Sequence, residues 1–302
     1  MGGSMSGKTL KVAVLMGGIS SERDVSLSSG KGVEQALKKL GYQTKAIVVG
    51  ADLSKLIADL KRFKPDVVFN ALHGRFGEDG CIQGILNWMK IPYTHSGVLA
   101  SSVGMDKERT RQVAIQAKVP VAKGGLKAKE EFQKMKLPLV VKPNDEGSSI
   151  GVAIVLKEAD RKKVKWPKGK KLLVEEYIPG RELSVAVLDG KALGTLELKP
   201  KKGWYDFQNK YKTGAVEHLI PAPVSSAIEK KLCQYAEKMH NALGCRGVSR
   251  SDFRLDKNRI VFLEINTSPG MTPTSLVPDM ARLKGLTYED LIKKLIRGAR
   301  CD

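Results

Sequence analysis

Between Ser249 and Thr272 the chain reads SRSDFRLDKNRIVFLEINTSPGMT, two alternating stretches on either side of a short polar break. Successive side chains of a strand point to opposite faces, so Arg250 and Asp252 share one face while Phe253 and Leu255 take the other. Glu264 and Asn266 share a face in the same way. This commits the segment to an antiparallel hairpin with one apolar and one polar face. If Asp256 and Ile260 close the hairpin around Lys257, Asn258 and Arg259, Asp252 lies directly opposite Glu264. Asp252, Glu264 and Asn266 then bring three oxygen donors together. A cation held by one or two carboxylates plus nucleotide phosphates fits magnesium better than a closed calcium cage. The same pattern also fits a solvated hairpin whose charges face water, so the segment alone leaves both readings open.

The first hundred residues alternate strand and helix. A strand over 10–16 is followed by the loop GGISSERDVS, a helix over about 27–40 ended by Gly41, and a strand over 43–49. A helix over 53–63, a strand over 66–71, the loop HGRFGEDG, a helix over 81–89 and a short strand near Tyr93 continue the pattern of an open parallel sheet. Ligands of such sheets bind beyond the carboxyl ends of the strands. Glu22 and His73 sit on the two loops leaving those ends. An acidic residue favoured by a helix dipole and a polar loop histidine are the plainer explanations.

With 302 residues the chain is long enough for two domains, or three small ones. No apolar run is long enough to cross a bilayer, which argues against a membrane protein. Met1 to Ser4 read as a cloning scar ahead of a start at Met5, and the opening lacks the apolar core of a secretory signal, so a cytosolic location is expected. Cys81, Cys233, Cys245 and Cys301 form no C-x-x-C pair, which points to free, mostly buried thiols rather than a zinc site or a disulfide framework. The formal charge of +20 is the main argument for a nucleic-acid partner. Against it, the lysines are spread along the chain, and the densest run, RKKVKWPKGKK, contains a proline and reads as a solvated connection. No nucleic-acid partner is therefore expected. Gly2 to Thr9 (GGSMSGKT) match a P-loop pattern, but the strand before it and the helix after it are both missing.

In the middle of the chain Lys142 interrupts the apolar strand LPLVVKP. A lysine there is costly unless it meets an anion or snorkels to an edge. The loop Asn144-Asp145-Glu146-Gly147-Ser148-Ser149-Ile150-Gly151 has backbone amides that could wrap phosphate oxygens, though it could equally be a simple hairpin turn. Glu175 and Glu182 flank a Pro-Gly turn, where they could receive an adenine amino group and ribose hydroxyls or be exposed.

Taken in order, Lys107, Lys142-Pro, the Gly-Ser-Ser loop, Val174-Glu-Glu-Tyr, and Asp252 with Glu264-Ile-Asn266 resemble the ATP-grasp arrangement. The strings GGISSERDVSLSSG, NALHGRFGEDGCIQG, VKPNDEGSSIGV, YDFQNKY and EINTSPGMTPTSLVP resemble the D-alanine:D-alanine ligase family over essentially the whole chain. Residues 1–9 read as a tag or disordered start, and the resemblance implies an α/β N-terminal substrate domain with an open parallel sheet over 10–103. Two α+β ATP-grasp lobes follow, at 104–183 and 184–302, with a lid at 201–214. It implies ATP and D-alanine as substrates, magnesium as cofactor with manganese able to stand in, and a homodimer. The reaction would run through an acylphosphate and a tetrahedral intermediate and supply dipeptide for peptidoglycan. Both chemical steps move or build negative charge, so fixed cations matter more than a covalent nucleophile.

By the same resemblance, Lys107, Lys142 and Lys210 hold phosphates, with Glu146, Ser148 and Ser149 in the phosphate loop. Glu175, Tyr177, Ile178 and Glu182 line the adenine and ribose pocket, and Asp252, Glu264 and Asn266 hold the metal. Arg250 and the Gly270 amide form the oxyanion hole. Glu22 pairs with the first D-alanine's ammonium with His73 close by, Ser148 and Tyr211 fix Glu22 and close the lid, and Ser275 and Leu276 contact the second D-alanine. The lid KKGWYDFQNKYKTG is polar and aromatic with a terminal glycine, a composition suited to a flap over an anion. Its Tyr211 resembles the dipeptide-forming type rather than the type that makes D-alanyl-D-lactate. Asn144-Asp145 stand where Ser-Arg is more familiar, and Met16 and Ile19 are local variants near Glu22. The alternative is another ATP-grasp ligase with a different amino or hydroxy acid.

Overall fold

The computed structural model describes residues 9–147, 150–200 and 216–302. Strands β1 (Lys11–Gly17), β2 (Gln43–Val49) and β3 (Val67–Asn70) form a parallel sheet in the order β2-β1-β3. Helices α1 (Arg23–Lys39), α2 (Leu53–Phe63) and α3 (Cys81–Trp88) connect or follow them. The helix expected from residue 27 starts four residues earlier. Its first turn is too polar to show an apolar period, yet it is held by hydrogen bonds. Ser26 Oγ accepts from the Gly17 N–H at 2.8 Å and donates to the Ala71 carbonyl at 2.7 Å. The short strand expected near Tyr93 is reduced to single bridges with Val68 and Arg300.

Two α+β lobes follow this sheet, the arrangement that the sequence resemblance implies. Helices α4 (Val98–Met105) and α5 (Lys107–Gln116) lead into β4 (Gly124–Lys127), α6 (Lys129–Gln133), β5 (Leu139–Lys142), β6 (Ala153–Val155), α7 (Glu158–Arg161) and β7 (Leu172–Glu176). The strands pair antiparallel in the order β4-β7-β5-β6. Leu139, Val141, Val155, Leu172 and Val174 pack on Phe132 on one face. By alternation, Val140, Lys142 and Glu175 face the other way.

The second lobe is an antiparallel sheet in the order β10-β9-β8-β11-β12. Its strands are β8 (Arg181–Leu188), β9 (Lys191–Pro200), β10 (Val216–Leu219), β11 (Val248–Asp256) and β12 (Arg259–Asn266), with helices α8 (Ser226–Ala242), α9 (Leu276–Arg282) and α10 (Tyr288–Arg297). Strand β8 runs across residue 183 and pairs along its length with β9 and β11. One face of the sheet (Leu183, Val185, Val187, Phe253, Phe262) is buried with Leu232, Ala236 and Met239 of α8. On the other face, Ala186, Leu188, Leu196 and Val248 share a core with α9, α10 and β1. That shared core joins the N-terminal domain to the second lobe and leaves the far ends of β11 and β12 for the site.

The β11–β12 hairpin closes one residue differently from expectation. Asp256 faces Arg259 and Leu255 faces Ile260, so the turn is Lys257-Asn258 alone. A register shift follows, with Phe253 opposite Phe262 and Asp252 opposite Glu264. Leu263 is the extra residue of this bulge. It restores the Asp252–Glu264 pairing that the three-residue turn would have produced, and it places both Leu263 and Glu264 against the cleft described next.

The four cysteines are free, as expected, but not mostly buried: Cys81 is exposed and the other three are half-buried. Cys81 sits at the first position of α3, at a domain surface rather than in its core.

Candidate functional site

A cleft of about 970 Å³, open to solvent, runs between the two lobe sheets. Val140, Lys142, Ile154 and Glu175 line its upper wall, and Asp252, Arg254, Leu263 and Glu264 line its lower wall. Tyr177 and Ile178, on the segment joining the lobes, and Glu182, on β8, close one end, while Lys107 and Glu146 stand at another.

Both lysines are held. Lys142 is buried, and its Nζ lies 2.7 Å from Glu175 Oε2. Lys107 is the first residue of α5; its Nζ donates to the Glu146 carbonyl at 2.5 Å and lies 3.4 Å from Glu264 Oε2. Asn144 secures that helix start. Its carbonyl accepts from the Lys107 N–H at 3.0 Å, and its side-chain oxygen accepts from the Glu108 N–H at 2.9 Å. An asparagine is well suited to satisfying the open amides of a first turn. The residue that departs from the familiar Ser-Arg pair therefore ties the loop after Lys142 to the helix that carries Lys107.

Asp252 is buried and fully hydrogen-bonded. Arg250 forks onto it, Nε to Oδ1 at 2.9 Å and Nη2 to Oδ2 at 2.7 Å. Ser184 Oγ donates at 2.6 Å and Asn266 Nδ2 at 3.2 Å. Among the described residues no cluster of three or more His, Cys, Asp or Glu side chains could hold a metal. The donor set here is two carboxylates facing each other across a strand pair, with the Asn266 amide beside them. Those hard oxygen donors fit magnesium, whose remaining positions go to water and phosphate. Arg250 and Lys107 balance the carboxylates as the structure stands.

A second, smaller hollow adjoins the cleft and shares Lys107, Glu146 and Glu264 with it, adding Glu78, Gly147 and Asn266. Glu22 is close by: a Cβ placed on Gly147 or on Gly74 would lie 3.1 Å from its Oε2. His73 is buried behind it. Its Nδ1 lies 3.3 Å from Glu78 Oε1 and its Nε2 3.3 Å from Ser29 Oγ. Burial alone would push its pKa down, but the Glu78 hydrogen bond and charge, the Glu22 charge and the Ser268 backbone outweigh it and raise the pKa. Ser29 Oγ also accepts from the Met271 N–H at 3.2 Å, so one hydroxyl links His73 to the residue beside Gly270. Neighbouring His95 behaves oppositely. Burial and the His73 charge lower its pKa to about 3.

The structure brings most of the expected residues together. Lys107, Lys142, Glu146, Glu175, Tyr177, Ile178, Glu182, Asp252 and Glu264 share the cleft; Asn266 lines the adjoining hollow, and Glu22 lies beside Gly147 of that hollow. Gly270 and Ser275 are neighbours, since a Cβ on Gly270 would lie 3.4 Å from Ser275 Oγ. That Oγ accepts from the Thr272 N–H at 3.0 Å, and Ser275 is the N-cap position of α9. Leu276 is buried in the core shared with Met271 and Val277, so its side chain faces inward. Ser148, Ser149, Lys210 and Tyr211 lie outside the described residues, as does Gly2 to Lys8 of the P-loop-like string.

Sequence reading missed Ser29, Glu78, Arg111, Ser184 and Arg254. Ser184 shares a strand face with Glu182, a period-2 signal within reach. Its pairing with Asp252 depends on β8 lying beside β11, which no local pattern announces.

Comparison with known proteins is consistent with this geometry. Residues 99–297 match the family model "D-ala D-ala ligase C-terminus" and residues 51–96 the model "D-ala D-ala ligase N-terminus". The chain is 46% identical to the D-alanine--D-alanine ligase of Paramagnetospirillum magneticum, covering 97% of this chain and 99% of that one. It is 49% identical to that of Sinorhizobium fredii, covering 98% and 99%. Among solved structures, D-alanine--D-alanine ligase from Bacillus anthracis superposes with a TM-score of 0.84 at 29% identity, covering 96% of this chain and 97% of that one. The same enzyme complexed with ATP gives 0.82 at 27% identity over 96% and 97%. VanG D-Ala:D-Ser ligase from Enterococcus faecalis gives 0.81 at 28% identity over 96% and 99%.

Proposed function

The chain belongs to the D-alanine–D-alanine ligase family, and from this premise we propose that its two-lobed cleft carries out ATP-dependent joining of two D-alanine molecules. The observation that carries the assignment of roles is the gathering of Lys107, Lys142, Glu175, Glu182, Asp252 and Glu264 on one cleft from segments far apart in the chain.

In the first step a carboxylate oxygen of one D-alanine attacks the γ-phosphorus and ADP leaves. Lys142 and Lys107 face the charge that this step redistributes. In the second step the amine of the other D-alanine attacks the acyl carbon, and the tetrahedral intermediate collapses with loss of phosphate and a proton. Arg250 and the Gly270 amide receive the oxyanion. Glu22, set against Gly147 and Gly74, holds the first ammonium, and His73 behind it is kept in place by Glu78 and Ser29. Ser275, on the Gly270 loop, faces the second D-alanine. Asp252, Glu264 and Asn266 hold magnesium, or manganese in its place, which when bound neutralises charge on the ATP oxygens. The family likewise supports a cytosolic homodimer making dipeptide for peptidoglycan. No helix among the described residues is long and apolar enough to cross a membrane.

Phosphate release with ATP and magnesium, in the presence of D-alanine, D-serine, L-alanine or D-lactate, followed by product mass, tests this reading. D-alanine dependence with D-alanyl-D-alanine formed supports it. D-serine enters because of the likeness to a D-Ala:D-Ser ligase; a mixed product would move the specificity to another ligase of this fold. Efficient D-lactate use without dipeptide at neutral pH refutes amide formation. Arg250→Met is expected to lower turnover about 100- to 1000-fold, as for loss of one oxyanion donor.

A further inference from the structure

Arg111 lies on α5 one turn after Lys107, is 6% exposed, and stands behind Glu175 as seen from the cleft. Its Nη1 donates to the Ala122 carbonyl at 2.7 Å and to Glu175 Oε1 at 2.6 Å, and its Nη2 donates to the Gly124 carbonyl at 3.1 Å. Its Nε lies 3.3 Å from Glu108 Oε2, an ion pair without hydrogen-bond geometry. Gly124 makes this clamp possible. A Cβ there would fall 2.1 Å from the Val174 carbonyl oxygen, so only glycine lets β4 lie this close to β7 at Glu175.

We infer that Arg111 is a positioning residue for the nucleotide's phosphates, acting through Glu175 on Lys142. This rests on the cleft being the nucleotide site. The Glu175 carboxylate is divided between two cations, Oε1 on Arg111 and Oε2 on Lys142. The division has two effects. The guanidinium, pinned to two backbone carbonyls, sets the carboxylate plane so that Oε2 meets Lys142 and holds that amine at the cleft wall. It also takes up half of the carboxylate's charge, so that Lys142 is only partly neutralised and keeps its attraction for a phosphate. A lone Glu175–Lys142 pair would cancel inside a partly desolvated wall and present little field to an anion. Arg111 does this without touching the nucleotide.

An arginine that merely shaped the base pocket or supported the fold would weaken every nucleoside alike. One that acts on phosphate through Lys142 spares adenosine. The experiment measures binding of ADP with magnesium, and of adenosine, to the full-length protein and to Arg111→Met, Arg111→Lys, Arg111→Met/Glu175→Gln and Lys142→Ala, together with KM for ATP and for D-alanine. Arg111→Met is expected to weaken ADP and raise the KM for ATP by about 10- to 50-fold, in the range for a hydrogen bond to a charged group. Adenosine affinity and the KM for D-alanine should stay within about two-fold. The Lys variant should fall between, and the double variant should recover most of the ADP affinity relative to that for adenosine, because the carboxylate that then neutralises Lys142 is gone while any loss of Glu175 contacts to the base falls on both ligands alike. Equal losses for ADP and adenosine, unchanged ADP binding, or no recovery in the double variant each overturn the inference. If Arg111→Met does not fold, the Lys and double variants decide by the same criteria. Lys142→Ala separates the two levels: unchanged ADP binding there removes the nucleotide reading itself, whereas a loss there without one at Arg111 removes only this inference.

Discussion

Arg250 and Asp252 are 8% and 6% exposed, two residues apart on one strand, and joined by a two-pronged ion pair at 2.9 and 2.7 Å. Removing one member of a buried pair costs about 3–5 kcal/mol, whereas replacing both with neutral side chains is often close to neutral. Asp252→Asn keeps the shape and the Ser184 contact but takes away the carboxylate that Arg250 forks onto, so a loss of about 3 kcal/mol is expected. Arg250→Met leaves Asp252 its Ser184 and Asn266 donors, and about 2 kcal/mol is expected. The double variant removes both charges and should lose only about 2 kcal/mol, giving a coupling of about 3 kcal/mol between positions that would add if independent. Urea unfolding of the four proteins, without nucleotide or magnesium, measures the cycle. All three variants are expected to be strongly impaired in turnover, so stability is the informative readout. Additive losses, with coupling below about 0.5 kcal/mol, would show that the fork does not set the charge balance of this site.

Gly124→Ala should prevent stable folding of the first lobe, since its Cβ would fall 2.1 Å from the Val174 carbonyl oxygen at φ +152°; normal expression and melting would contradict this. His95 has a folded pKa lowered to about 3 by burial and by His73. The unfolded chain, at about 6.5, therefore binds the extra proton between those values, and stability falls as pH drops through that window. From pH 6.5 to 5 the share is about 2 kcal/mol. His95→Asn, which tolerates the backbone φ of 70°, should flatten the acid side of the stability profile, and an unchanged slope would refute it. Ser29→Ala removes the hydroxyl shared by His73 and the Met271 amide and should cut kcat/KM for D-alanine about 10-fold; unchanged kinetics would show that the link does not position the Gly270 loop.

The strand and helix periods of the first domain, the α2 boundaries at Leu53–Phe63, and the facing of Asp252 by Glu264 were all legible in the sequence. Each depends on neighbours within about one hairpin or one helix, where side-chain period and turn residues carry the information. The hairpin shows the limit of such reading. The turn is one residue shorter than expected, and a bulge at Leu263 compensates, because the register is set by pairing with β8 and by the apolar face packed on α8. The α1 start was hidden for a similar reason, its first turn being held by the Ser26 bonds to Gly17 and Ala71 rather than by apolar contacts.

The family strings pointed to residues that meet along the cleft and its adjoining hollow, since those stand in contiguous motifs. What stands behind them was not legible. Arg111 meets Glu175 from 64 positions away, Ser184 meets Asp252 from 68, and Ser29 meets Met271 from 242. None of these partners has a local signature, because a buried arginine or serine looks the same in sequence whether it faces solvent, backbone or a carboxylate. By itself the sequence determined most of the elements that form and named most of the side chains that line the cleft. Tertiary structure alone decided how those side chains are paired and held, because electrostatic strength depends on burial and on partners brought together by packing, and both come into being only when the sheets and helices close on one another.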